Sequence, residues 1–170
     1  MPLTGLANAA LDRVAPDPAA FAAGLARYGE SDLLAYRADA PQALMDRQAA
    51  AWDPLLHWAR RRFDVNFAIT SGITFVPQPE HTIARLGHAV AALDSFRLAA
   101  ISPLVTIGGS LIAGLAVLED EITPERAWDA VSVDDAWQLE KWGSDSEAEA
   151  ALANRRAEFL AAARFLTLLG

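Results

Sequence analysis

Apolar residues recur along most of this chain at intervals of three and four, the spacing that lines one face of an α-helix. Leu3, Leu6, Ala10, Leu11 and Val14 predict a first helix, and Phe21, Leu25 and Tyr28 a second. A third runs from Pro41 to Phe63, with Trp52, Leu56, Ala59 and Phe63 on one face. Further helices are expected over 79–93, 95–118, 124–142 and 145–169. Their starts are marked: Asp17-Pro18 and Thr123-Pro124 each place a capping acceptor before a proline in the first turn. Ser132 with Asp135, and Ser144 with Glu147, read as capping boxes. One segment departs from the period. Phe67-Ala68-Ile69-Thr70 and Ile73-Thr74-Phe75-Val76 flank Ser71-Gly72 and predict a short β-hairpin. A hairpin alone is marginal, so it either lies against the helices or completes a sheet supplied from elsewhere. The expected fold is mainly α, a bundle of six or seven helices with one short hairpin.

Composition sharpens this picture. Of 170 residues 53% are apolar, and 37 are alanine, the strongest helix former. The chain has no cysteine, which removes disulfides, thiolate metal sites and a cysteine nucleophile. A net charge of −8 repels phosphates and anionic lipid, so neither nucleic acid nor a membrane surface is an expected partner. The apolar stretch from Pro103 to Leu118 is interrupted by Thr106, Gly108, Gly109 and Ser110 and falls short of the roughly 20 residues a span requires. Met1 to Asn8 lack the basic start and apolar run of a signal peptide.

Common catalytic and nucleotide-binding motifs do not occur. Gly108-Gly109 sits in an apolar helical stretch with no strand before it, which favours close helix packing over an anion cradle. His57, His81 and His88 form no cluster with metal-ligand spacing, so neither a metal nor a cofactor is expected. Arg60-Arg61-Arg62 reads as the cationic last turn of the third helix. Residues 127–143 are more informative. Read as one helix, Trp128, Val131, Leu139 and Trp142 form a stripe with Asp135 in its middle. A carboxylate there is costly unless it caps a helix, pairs with a buried arginine in the core, or faces a partner. In the last case Asp134 and Trp137 flank it with a second charge and an anchor.

Four segments resemble the Atp12 family, assembly chaperones of the F1 sector of ATP synthase. They are Leu3-Thr4 with Ala10-Leu11-Asp12; Asp32-Leu33-Leu34-Ala35-Tyr36-Arg37, with Ala35 where the family commonly has cysteine; Arg47-Gln48 with Trp52-Asp53-Pro54-Leu55-Leu56-His57-Trp58; and Val133-Asp134-Asp135-Ala136-Trp137-Gln138 with Trp142-Gly143. Their order and spacing agree over essentially the whole chain. Family members carry a β-rich N-terminal domain ahead of the Leu-Thr segment, where this chain starts. The resemblance therefore implies that residues 1–170 are a single domain like the helical C-terminal domain of those chaperones.

What the resemblance implies is a chaperone and not an enzyme. It would bind the free F1 α subunit and protect it from aggregation until the β subunit takes its place. The compartment would be the cytoplasm for a bacterial chain or the mitochondrial matrix for a eukaryotic one. Asp134, Asp135, Trp137, Gln138 and Trp142 are the expected partner-binding residues. Two other readings remain open at this level: a small acid/base enzyme or binding protein using Asp134 and Asp135, and a structural subunit of a stable complex. Neighbouring carboxylates on a helix diverge by about 100°, which counts against the first.

Overall fold

A computed structural model describes residues 2–143 and 145–170. Among them, nine α-helices and one two-stranded sheet make up the chain, with 76% helix. Helix α1 (Pro2–Ala9) continues into a π-turn over Ala10–Val14; α2 (Pro18–Ala26) ends in a 3₁₀ turn. A second 3₁₀ turn at Leu33–Ala35 leads into β1 (Tyr36–Arg37). Then follow α3 (Gln42–Phe63), β2 (Thr70–Ser71), α4 (Glu80–Ala91), α5 (Ser95–Gly108) and α6 (Leu111–Leu118). The chain closes with α7 (Pro124–Val131), α8 (Val133–Trp142) and α9 (Ser146–Leu169).

The count of six or seven helices is corrected to nine because two expected helices each divide. Between 95 and 118 the break falls at Gly109, whose φ of 72° ends α5 in the left-handed region. Ser110 then caps α6 by accepting from the Ala113 N–H. Its neighbour Gly108 serves packing, since a Cβ there would stand 3.3 Å from Val131 and 3.5 Å from Phe159. Between 124 and 142 the break falls at Ser132, which leaves the helical region.

The hairpin is also corrected. Thr70 and Ser71 pair in parallel with Tyr36 and Arg37, and residues 73–78 join no ladder. The chain does reverse at Ser71-Gly72, but a side chain closes it: the Gln78 amide donates to the Ala68 carbonyl and its oxygen accepts from the Ala68 N–H.

Helix α6 is the centre of the molecule. Leu111 through Val117 are all buried, as expected of a helix apolar on every side. Helix α5 packs along α9 and against α6, while α3 and α7 cover α6 from other sides. Trp52, Leu56, Ala59 and Phe63 face this core as their spacing predicts. Leu11 does not, being 59% exposed: the π-turn inserts a residue, so Ala10 and Val14 point inward and Leu11 turns to solvent. Asp17 and Thr123 cap α2 and α7 as expected, accepting from the Ala20 and Arg126 N–H groups. Ser144 lies outside the described residues; Asp145 caps α9 by accepting from the Glu147 N–H.

Candidate functional site

The five expected binding residues sit on α8 and its C-terminal turn, and the structure divides them between two faces. The division begins at Ser132. Its hydroxyl does not cap α8; it donates to the Trp128 carbonyl at 2.6 Å, so the expected capping box with Asp135 does not form. The break there leaves the Ala130 carbonyl without a helical partner, and Trp52 of α3 donates its indole N–H to that oxygen at 2.7 Å. Helix α8 is thereby swung off the line of α7, and the single tryptophan stripe does not exist. Trp128 and Val131 stay in the core, whereas Trp142 is 85% exposed.

Asp134 faces α3. Its carboxylate accepts from the Gln48 side-chain amide at 2.7 Å, and the Gln48 oxygen accepts from the Ala38 N–H. Gln48 is buried one turn before Trp52, so a polar residue on the core face of α3 ties three segments together. Asp134, Trp137 and Gln138 line one shallow groove of about 300 Å³ with Tyr36, Gln48 and Gly72. Trp137 is buried in its wall, not free as an anchor. Its ring lies 5.0 Å from the Arg47 guanidinium and 4.7 Å from the Lys141 ammonium. Arg47 in turn bonds Glu140 at 2.7 Å, which holds the Glu140 carboxyl below its ordinary range.

Asp135 faces the other way. It approaches Arg155 of α9 at 3.7 Å, both groups being well exposed. Its groove contains Gln138, Leu139, Trp142 and Arg155. Asp135 thus has an arginine beside it at the surface, not a buried one in the core. Gln138 is exposed and touches both grooves, so it bridges the two halves of the site. The two carboxylates do not converge on a common point, and the geometry offers no acid/base pair at this position.

Residues without an assigned role also shape the site. Gln48, Tyr36 and Gly72 line the Asp134 groove. Arg37 reaches across to Asp53 at 2.8 Å, bonds the Leu34 carbonyl, and stacks 5.3 Å from the Trp52 ring. The sequence signals for Gln48 are its place in the Arg47-Gln48 motif and its position four residues before a core tryptophan. His57, His81 and His88 are exposed, and among the described residues no group of three potential metal ligands comes together.

This fold matches solved structures. Atp12 from Paracoccus denitrificans superposes with a TM-score of 0.95 at 46% identity, covering 99% of this chain and 72% of that one. The Atu1473 protein of Agrobacterium tumefaciens superposes with a TM-score of 0.94 at 36% identity, covering 100% of this chain and 64% of that one. A family model described as ATP12 chaperone protein matches residues 1–60. That window includes the Asp32–Arg37 segment and the α3 residues Gln48, Trp52 and Asp53, whose contacts hold β1, α3 and α8 together. With nearly half its residues identical to the Paracoccus protein over almost its full length, and the same backbone arrangement, the chain belongs to the ATP12 chaperone family.

Proposed function

We propose that this chain is an assembly chaperone that binds the free α subunit of the F1 sector of ATP synthase and shields it until the β subunit takes its place. The observation that carries this reading is the superposition on Atp12 over 99% of the chain. The contact surface is assigned to α8: Asp134 and Gln138 in one groove, Asp135 and Trp142 in the other. Trp142 is the exposed aromatic anchor, and Trp137 supports the groove wall from beneath. Asp134 is half-buried and fixed by Gln48, so its charge is held in one place. A positioned carboxylate discriminates among partner surfaces better than a mobile one. The chain spans 72% of the length of the Paracoccus protein.

The test is retention of purified F1 α and β subunits, offered separately, on the immobilised chain. Retention of α and not β is expected. Asp134→Asn keeps an acceptor for Gln48 while removing the charge, so melting should stay within about 0.5 kcal/mol of wild type while binding weakens. Asp134→Lys should weaken binding further, and it also leaves the buried Gln48 amide unpaired at a stability cost of about 1–3 kcal/mol. Retention of neither subunit, or of both equally, overturns the reading.

A further inference from the structure

We propose that the loop between α3 and α4 extends the Asp134 groove and receives large apolar side chains, each next to a lysine or arginine, from the unassembled subunit. The proposal rests on the chaperone reading above and adds a surface that reading does not use.

Residues 64–79 are pinned at four points. Thr82 donates its hydroxyl to the Asn66 carbonyl at 2.6 Å, and the buried Gln78 amide clasps the Ala68 N–H and carbonyl at 2.8 and 2.9 Å. Gly72 donates its N–H to the Arg37 carbonyl at 2.9 Å, and Tyr36 donates its hydroxyl to the Val76 carbonyl at 3.3 Å. Phe67 is buried beneath. A segment held this firmly would be expected to turn its apolar residues inward, yet beyond Val65 and Phe67 three large ones stay out. Ile73 is fully exposed, Phe75 is 65% exposed and Ile69 is 44% exposed. Ile69 stands before the turn at Gly72, and Ile73 and Phe75, two residues apart, stand on its far side. Large apolar groups held in water by a rigid frame mark an interaction surface, because the frame removes the ordering cost of binding.

Two observations select the occupant. The loop is continuous with the candidate interface, since Gly72 lines the same groove as Asp134 and Gln138. The charge beside it is negative. Asp39 brings a carboxylate oxygen within 3.2 Å of where a Gly72 Cβ would stand, and Asp134 lines the groove together with Gly72. The nearby Arg37 is engaged by Asp53 and Arg47 by Glu140, which leaves Lys141, over the Trp137 ring, against the two carboxylates. Apolar side chains bordered by fixed carboxylates fit a partner segment that carries apolar and basic residues together.

The experiment titrates the full chain with purified F1 α subunit, using wild type, the double variant Ile73→Ser/Phe75→Ser, and Asp39→Lys. The double variant should unfold at the wild-type temperature, because both side chains already stand in water, yet bind about tenfold or more weakly. Asp39→Lys should weaken binding in low salt more than in high salt. A peptide scan of the α sequence should lose, in the double variant, those peptides that combine apolar and basic residues. Wild-type affinity in the double variant, with binding still lost in Asp134→Lys, overturns this proposal and leaves the chaperone reading standing. Sedimentation showing a wild-type dimer that the double variant abolishes, with α binding unchanged, assigns the loop to a second copy and also overturns it. A wild-type chain that retains no α subunit removes both.

Discussion

At Asp32 a carboxylate without access to solvent ties together parts of the chain far apart in sequence. It accepts from the Leu34 N–H at 3.0 Å, starting the short turn before β1, and from the Ile112 N–H at 3.0 Å, in the first turn of α6. Burial is the largest influence on its acidity and outweighs these bonds, so its carboxyl is pushed up from 3.8 to about 6. The folded state therefore holds this proton more tightly than the unfolded chain. The stabilisation is complete below about pH 3.8 and is lost as pH rises through 6, at no more than about 1.4 kcal/mol per pH unit. Other carboxyls, such as Asp94 under the Arg97 N–H, are shifted down and act in the opposite sense. The Asp32 contribution must therefore be read as a difference. Chemical denaturation of wild type and Asp32→Asn from pH 4 to 7 should show the cost of the substitution shrinking as pH rises. A cost independent of pH would mean that Asp32 keeps an ordinary pKa in the fold.

Among elements, the join between α3 and the α7–α8 break decides how the site is presented. Trp52 is fully buried, and its indole N–H takes up the Ala130 carbonyl that the break at Ser132 sets free. Trp52→Ala removes a fully buried tryptophan from the α3 core face and leaves that carbonyl unpaired. Thermal or urea unfolding should report a loss of about 3–5 kcal/mol. Hydrogen exchange should rise first in α8, because α8 takes its direction from this contact. A variant that melts normally but fails to bind would assign Trp52 to the partner surface instead. The elements with strong local signals were legible: Asp17 and Thr123 as caps, and the core face of α3 from its period. The breaks at Gly109 and Ser132 were not. Helical periodicity continues across both, and only a left-handed glycine or a hydroxyl diverted to a carbonyl shows where the axis turns.

At the scale of the molecule, a net charge of −8 accompanies a groove that fixes one carboxylate and a loop that exposes Ile73 and Phe75. Charge of one sign steers encounter, while apolar contact sets the lifetime of the complex. Association with the α subunit should therefore slow as salt rises from about 50 to 500 mM, with dissociation far less affected. Stopped-flow fluorescence can follow this if Trp142, the exposed tryptophan of the candidate site, is quenched on binding. An association rate indifferent to salt would mean that the acidic field has no part in recognition.

The sequence by itself determined the helical class, the core face of α3, and the four segments that resemble the Atp12 family. These depend on local periodicity and on residues close together in the chain. Several motif residues proved to be fasteners. Asp32 joins the β1 approach to α6, Arg37 bonds Asp53, and Trp52 holds the end of α7. Tertiary structure alone decided that β1 and β2 pair in parallel, that Trp137 lies in a groove wall, and that Asp134 and Asp135 face different helices. Each outcome turns on a partner distant in sequence: Tyr36 for Thr70, Arg47 for Trp137, Gln48 and Arg155 for the two carboxylates. Spacing along a chain fixes which face of a helix a residue occupies, and only packing fixes what that face meets.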